Sequence, residues 1–213
     1  MNMEKGNELD DEFIKKLKSV AGLNAGEIQK FIEQGANVNY RQPATGLTPL
    51  IAASIGFRGH ATVKALLDNY SPEINAKDTK GETAFSRAIS NSNWLSALYL
   101  LENGADIEMR GSESKVPKIA SSTVYILAGA KQGDIEYLQK GIAMGGDINA
   151  KAGDTAMLLA IQVSGATRYN TIQYCLEHNA SIEHLTQSKI DNHMDSIELK
   201  KIKQLLARYG VPE

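Results

Sequence analysis

The residues best suited to chemistry lie in one short segment near the end of the sequence. Cys175, His178 and His184 follow one another closely, and His193 lies further on. Thiolate and imidazole groups bind zinc and also form nucleophile–base pairs. However, a structural zinc site needs a second close pair of ligands, and Cys175 occupies an apolar helical position where a buried, inert thiol is usual. An enzyme or metal protein built on residues 175–193 is therefore the least favoured of three functional hypotheses.

Two further patterns resemble a phosphate-binding or catalytic site only at first sight. Gly141, Gly145 and Gly146 lack the Lys-Ser/Thr pair of a phosphate-binding loop. Asp10, Asp11 and Glu12 form an acidic tip that water can solvate, without the features of a catalytic pair. We expect no catalytic residue, no cofactor, no metal site and no small-molecule substrate.

Composition restricts the class of protein further. The 213 residues are 42% hydrophobic, and 23 Lys and Arg residues face 25 Asp and Glu residues for a net charge of -2. A nucleic-acid-binding protein would usually carry a basic excess, so we expect this protein to bind no nucleic acid. There is one cysteine, no secretory leader pattern at the N-terminus and no apolar run of about 18 residues. These features predict a soluble cytoplasmic protein without membrane contact, or one delivered into a host cytoplasm if its source is microbial.

Two short motifs recur with a common period, which indicates a repeat protein. The first contains an apolar residue at position 38, 74, 107, 148 or 182, and the best copies are Gly35-Ala36-Asn37-Val38-Asn39 and Gly104-Ala105-Asp106-Ile107-Glu108. The second motif lies about ten residues later, as in Thr48-Pro49-Leu50-Ile51-Ala52-Ala53, with a degraded copy at Thr123. The wider interval between positions 107 and 148 holds a polar insertion at 110–118, which predicts a lengthened loop; a second insertion lies at 163–169.

Local physical chemistry predicts that each repeat is a pair of helices. Thr48, Thr83 and Thr155 precede apolar runs and suit helix N-caps. Residues that tolerate a left-handed backbone end the second helices, namely Gly35, Gly104, Gly145 and Asn179. Small residues occur where two helices must approach closely, namely Ala52, Ala53, Ala88, Ala128 and Ala160. Apolar spacing of three and four residues predicts buried faces that include Leu98, Leu101, Leu138 and Ile172.

These motifs resemble the ankyrin repeat family, whose consensus contains T-P-L-H-x-A-A, G-H and G-A-D-V-N. The resemblance covers about residues 25–185 and departs from the family at the His of the first motif, where Ile51 and Ser86 stand. It implies an all-α, ankyrin-type solenoid of stacked helix-turn-helix repeats. It also implies a non-catalytic module that binds a partner protein through its concave face and its fingers, the loops between repeats.

The repeat register predicts the organisation of the chain. A flexible N-terminus (1–8) precedes one repeat domain (9–213). That domain contains an N-terminal cap (9–39) with helices near 10–20 and 26–34, repeats at about 45–75, 80–108, 121–149 and 153–183, and a closing helix near 195–209. We expect the closing helix to direct Ile197, Leu199, Ile202, Leu205 and Leu206 inward.

The resemblance also implies where a partner would bind. The finger and first-helix residues concerned are Tyr40, Arg41, Gln42, Leu47, Lys77, Thr79, Lys80, Glu82, Met109, Arg110, Lys151 and Asp154. Across the fingers at 40–47, 76–83, 109–123 and 150–155, seven basic residues outnumber four acidic ones. The excess predicts a weak preference for an acidic surface on the partner protein.

Two alternatives remain open at this point. Trp94, Leu95 and Leu98 occupy second-helix positions that the family usually fills with polar residues. Either the helix is rotated or Trp94 packs over a neighbouring repeat; alternatively, these residues form an exposed apolar patch that would mark a second contact surface or a dimer interface. The binding function is also open, because an inhibitor or immunity-type regulator that occludes an enzyme would have the same architecture as a scaffold.

Overall fold

The described part of the chain is entirely helical. The computed structural model describes residues 3–19, 22–56, 59–109, 111, 118–150, 155–182 and 196–210, and within them it contains eleven helices and no strand. The helices are α1 (Met3–Leu17), α2 (Ala25–Glu33), α3 (Pro49–Ile55), α4 (Gly59–Asn69), α5 (Ala84–Ser90), α6 (Trp94–Glu102), α7 (Ser121–Gln132), α8 (Ile135–Ala143), α9 (Ala156–Gln162), α10 (Ala166–Glu177) and α11 (Ser196–Ala207). The all-α prediction is confirmed. In this part of the chain, no helix combines the length and the apolar character needed to cross a membrane.

The chain divides into two compact units, Met1–Lys118 and Ile119–Glu213. In the first unit, α3 packs against α1, α4 and α5, while α4 packs against α2 and α6. This pattern gives an inner layer of α1, α3 and α5 and an outer layer of α2, α4 and α6. In the second unit, α7 packs against α8 and α9, and α9 packs against α10. The prediction of one domain over 9–213 stays a prediction.

Threonine side chains begin three of the inner helices, as the sequence predicts. Thr48, Thr83 and Thr155 each accept a hydrogen bond from the backbone N–H three residues later. Pro49 follows in the first turn of α3, where its missing N–H leaves no bond unmade. The degraded motif behaves differently, because α7 begins before Thr123 and that residue is buried inside the helix.

Left-handed residues end the outer helices. Gly35, Gly104 and Gly145 have φ angles of +102°, +90° and +79°, and a Cβ atom placed on any of them would meet nothing within 4 Å. The backbone conformation, not a lack of space, therefore requires glycine at these positions. Asn179 has a φ of +61° in the fourth repeat, which confirms the expected substitution.

Asparagine side chains join neighbouring repeats within each unit. Asn39 accepts a hydrogen bond from Glu73 N at 2.7 Å and donates one to Ser71 O at 3.2 Å. Asn149 makes the same pair of bonds with Ser181 N and Asn179 O in the second unit. These bonds satisfy backbone groups at the turn after an outer helix, and they set the register between neighbouring repeats.

The hydrogen bond between neighbouring turns has two variants within the first unit. Asn75 accepts from Asp106 N at 2.9 Å, so the second and third copies of the turn are also connected. At the N-terminal end, the carboxylate of Asp10 replaces the amide and accepts from Asn37 N at 2.7 Å. The N-terminal helix is therefore joined to the turn after α2 by the kind of interaction that joins the repeats to each other.

The core contains most of the residues that the periodicity predicts, with one correction. The five small alanines are completely buried, as are Leu138 and Ile172. Leu101, however, is only half-buried, and its neighbour Leu100 is fully buried instead. The outer helix α6 is short and apolar on most sides, so its helical period alone does not determine which leucine faces inward.

The closing helix α11 has one residue opposite to its predicted direction. Ile202, Leu205 and Leu206 are buried as expected, but the side chain of Ile197 is 71% exposed. A partly buried ion pair accounts for the difference, because Arg168 of α10 donates to Glu198 at 2.7 Å and so directs the first turn of α11. The residue next to Glu198 is consequently turned outward.

The burial of α6 gives a direct test of the fold. Leu100→Ala should lower the free energy of unfolding by about 2–5 kcal/mol, because it removes transfer energy and leaves a cavity in a site with no solvent access. Leu101→Ala is the matched control and should cost clearly less, since that side chain is half-buried. Urea unfolding followed by circular dichroism measures both, and equal losses for the two variants would contradict the placement of α6.

Candidate finger interface

Two fingers of the first unit have well-defined conformations. Finger 1 (residues 40–47) is closed by hydrogen bonds from Gln42 N to Leu47 O at 2.9 Å and from Gly46 N to Gln42 O at 2.7 Å. Finger 2 (residues 76–83) is closed by bonds from Asp78 N to Glu82 O and from Gly81 N to Asp78 O, each 2.9 Å. Both are tight turns, so each presents its side chains from a fixed backbone.

The fingers stack directly on one another. Thr79 donates from its backbone N–H and from its hydroxyl to the same acceptor, Thr45 O, at 3.0 and 2.9 Å. Arg41 Nη1 donates to Lys77 O. A Cβ atom at Gly46 would lie 2.7 Å from Thr79 N, so only glycine permits the two backbones to approach this closely. Fingers 1 and 2 therefore form one preorganised surface.

The N-terminal helix α1 supports finger 1 through an aspartate. Asp11 Oδ1 accepts from the hydroxyl of Tyr40 at 3.2 Å and from Nε2 of Gln42 at 2.9 Å. Burial raises the pKa of the Tyr40 hydroxyl, and the charge of Asp11 raises it further. Burial also raises the pKa of the neighbouring Asp10 carboxyl, although its bond from the Asn37 backbone opposes the change. Tyr40 thus has a fixed orientation and a half-exposed ring.

Burial changes the surface charge of finger 2. Asp78 and Glu82 are each only 7% exposed, whereas Lys77 and Lys80 are exposed. Neither lysine forms an ion pair with another described residue. The sequence of this finger has balanced charges, but the part of it that a partner can reach is positive.

Several predicted binding residues occupy different environments from those expected. Leu47 is 6% exposed and belongs to the core, so the expectation that it contacts a partner is wrong; Glu82 is corrected for the same reason. Gln42 and Met109 are half-buried, whereas Arg41 and Thr79 are exposed. Arg110, Lys151 and Asp154 lie outside the described residues, as do most of the long finger and most of the last.

The second candidate surface is not exposed. Trp94 and Leu98 are each 1% exposed, and Leu95 is half-buried. The alternative in which Trp94, Leu95 and Leu98 form an exposed apolar patch is therefore wrong, and the alternative in which Trp94 packs inside the stack is correct. The physical reason is that α6 packs against both α4 and α5, so an aromatic residue at its first position lies between helices.

Two inner helices of the first unit, α3 and α5, expose few side chains. Every residue of α3 from Pro49 to Ser54 is buried. In α5, the exposed or partly exposed positions are Arg87 and Ser90. Compared with α3 and α5, the two fingers therefore carry more of the exposed side chains.

The cysteine and histidine segment does not assemble a reactive site among the described residues. Cys175 is completely buried, and burial raises the pKa of its thiol to about 12. His178 is exposed, stacks on Tyr174 with ring centres 4.0 Å apart and has Nδ1 2.9 Å from Tyr174 O. Within the described ranges, no group of three His, Cys, Asp or Glu residues is arranged to hold a metal ion. His184 and His193 lie outside those ranges.

Comparison with known families decides the identity of the repeats. The model of the family described as ankyrin repeats (3 copies) matches residues 19–110. Residues 19–110 of this chain are similar to ankyrin repeats. With eleven helices and no strand in the described ranges, the fold is an all-α, ankyrin-type repeat solenoid, as the resemblance implied. Comparison with curated proteins finds no match.

Two interactions at the ankyrin fingers could not be recognised beforehand. The bond from Tyr40 to Asp11 joins residues 29 positions apart, and Arg87 pairs with Asp78 from the next helix. In each pair, one side chain can donate a hydrogen bond that the carboxylate of the other accepts. Many other pairs of residues in the sequence could interact in the same way. No local signal distinguishes them, because each pairing depends on how the cap and the helices pack.

The environment of Cys175 predicts its reactivity. Since the thiolate is the reactive form and the thiol is buried with a raised pKa, the native protein should react with a thiol-specific disulfide reagent at pH 8 many times more slowly than in urea. The absorbance of the thiolate released from the reagent gives both rates, measured on two portions of the same protein sample. Rapid stoichiometric labelling of the native protein would contradict the placement of Cys175 in the core.

Proposed function

We propose that this protein binds a partner protein through the stacked fingers of its first ankyrin repeats. Ankyrin repeats generally mediate protein–protein interaction and are typically non-catalytic. The observation that supports this site is the preorganised stack, in which Thr45 O accepts two hydrogen bonds from Thr79. A surface that is already ordered loses little conformational entropy when a partner docks on it.

The charge of the fingers favours an acidic partner surface. Lys77 and Lys80 are exposed without a described counter-ion, while Asp78 and Glu82 are buried. Arg41 is also exposed, and its bond to Lys77 O holds it against finger 2. Arg110 remains a predicted contact of this interface because of its position in the repeat, whereas Lys151 and Asp154 belong to the second unit and remain separate predictions.

Tyr40 and Met109 are the proposed apolar anchors of this interface. Both are half-buried, so each offers a partly exposed apolar surface whose position is already fixed. Anchors of this kind are surrounded by polar and charged residues in protein interfaces, and exposed lysines supply that rim here. The arrangement suits contact with a folded protein surface better than capture of a small molecule.

The basic rim is tested with the variant Lys77→Glu/Lys80→Glu. After a partner is identified by co-purification and mass spectrometry, this variant should slow association roughly tenfold at low salt and reduce the salt dependence of the rate, because exposed charges act on encounter. Lys200→Glu/Lys201→Glu on α11 is the matched control, since it reverses two exposed lysines with the same change in net charge. Equal effects of the two variants would refute a binding site at the fingers.

The aromatic anchor is tested with a pair of substitutions. Tyr40→Ala should speed dissociation by an amount equivalent to about 1–3 kcal/mol, because it removes the ring from the interface. Tyr40→Phe loses only the bond to Asp11 and should dissociate much more like the wild type. Surface plasmon resonance measures both rates, and identical behaviour of Ala and Phe would show that the ring is not the anchor.

A further inference from the structure

The turn of finger 2 depends on one buried carboxylate. Asp78 Oδ1 accepts from Lys80 N at 2.8 Å and from Glu82 N at 3.0 Å. Its other oxygen accepts from Arg87 Nε at 3.0 Å and also from Arg87 Nη2. The side chain of Asp78 is 2% exposed, so almost all of its interactions with water have been replaced by these four bonds.

Arg87 supplies the positive charge that compensates the buried carboxylate of Asp78. A carboxylate withdrawn from water is stable only if a cation or several donors compensate it, and removing the cation from such a pair is strongly destabilising. Arg87 lies on α5, at one of the few positions of that inner helix with any exposure. Its guanidinium is directed to the finger and binds Asp78 in a two-pronged contact, which fixes geometry as well as charge.

The conformation of finger 2 in turn determines that of both neighbouring segments. Finger 1 approaches it at Gly46, and on the other side a Cβ atom at Gly111 would lie 2.1 Å from Lys80 O. Thr83 at the end of finger 2 donates to Met109 O at 3.3 Å. A change in the turn between Asp78 and Glu82 would therefore disturb three successive segments of the proposed interface.

We propose that Arg87 is a positioning residue for partner binding, which acts through Asp78 to hold Lys77 and Lys80 outward. This inference rests on the proposed function, since it concerns the same finger surface. Arg87 needs no contact with the partner in this role. Its effect on binding should disappear when Asp78 no longer carries a charge that requires compensation.

The test combines three variants with two readouts. Arg87→Met removes the cation, Arg87→Lys keeps it, and Asp78→Asn/Arg87→Met removes both charges while the amide oxygen can still accept from Lys80 N and Glu82 N. Hydrogen exchange of the backbone amides of Lys80 and Glu82 reports the turn. The association rate of a fluorescent poly-glutamate peptide reports the basic surface, with Lys77→Glu/Lys80→Glu as the reference for its loss.

We expect Arg87→Met to raise exchange at both amides roughly tenfold and to slow peptide association. The double variant should stay close to wild type in both readouts, whereas Arg87→Lys, which keeps the charge but loses the two-pronged contact, should lie between wild type and Arg87→Met. Arg208→Met on the second unit is the matched control, because it removes one exposed arginine and should change neither the turn nor the rate beyond the effect of one unit of net charge. If Arg87→Met does not fold, Arg87→Lys and the double variant provide the comparison with wild type.

Three results would overturn the inference. Unchanged exchange in Arg87→Met would show that the turn does not need the arginine. Faster exchange with unchanged peptide association would separate the turn from binding, provided that Lys77→Glu/Lys80→Glu does slow association. Failure of the double variant to recover would mean that Arg87 acts other than through Asp78. If Lys77→Glu/Lys80→Glu itself has no effect on association, the proposed function fails, and the exchange data still decide whether Arg87 orders the turn.

Discussion

The stack depends on the fact that three of its helices, α3, α5 and α9, are too short to exist alone. Helices α3, α5 and α9 contain seven residues each, well below the length at which an isolated helix is stable in water. They form because their neighbours bury them, and α3 packs against α1, α4 and α5 at once. The alanines within these helices are fully buried, so the helices approach closely and any larger side chain would force them apart.

Stacking of this kind requires a fixed register between repeats, and polar groups supply it. The amides of Asn39, Asn75 and Asn149 satisfy backbone groups of the following turn, while left-handed glycines or Asn179 allow each turn to form. Hydrophobic burial is not directional, whereas these bonds are. The apolar core therefore accounts for most of the stability, and the asparagines determine how one repeat sits on the next.

The finger surface illustrates how packing converts a neutral sequence into a charged surface. Finger 2 contains two lysines and two carboxylates, but the lysines are exposed and the carboxylates are buried. The long lysine side chain can reach solvent from a tight turn, whereas Asp78 is short and bonds to its own turn and to Arg87. A count of charges along the sequence finds only a slight basic excess, and the structure concentrates that excess where a partner can approach.

The sequence by itself determined the repeat period, the left-handed positions, the buried alanines and the helix starts at Thr48, Thr83 and Thr155. It could do so because each of these features depends on residues within one repeat. Only the tertiary structure decided that Leu100 and not Leu101 is in the core, that Trp94 is buried, and that Leu47 and Glu82 are withdrawn from the surface. It also decided that Asp11 supports Tyr40 and that Arg87 compensates Asp78. Burial and pairing are properties of the space between elements, and many arrangements of that space are compatible with the same local sequence pattern.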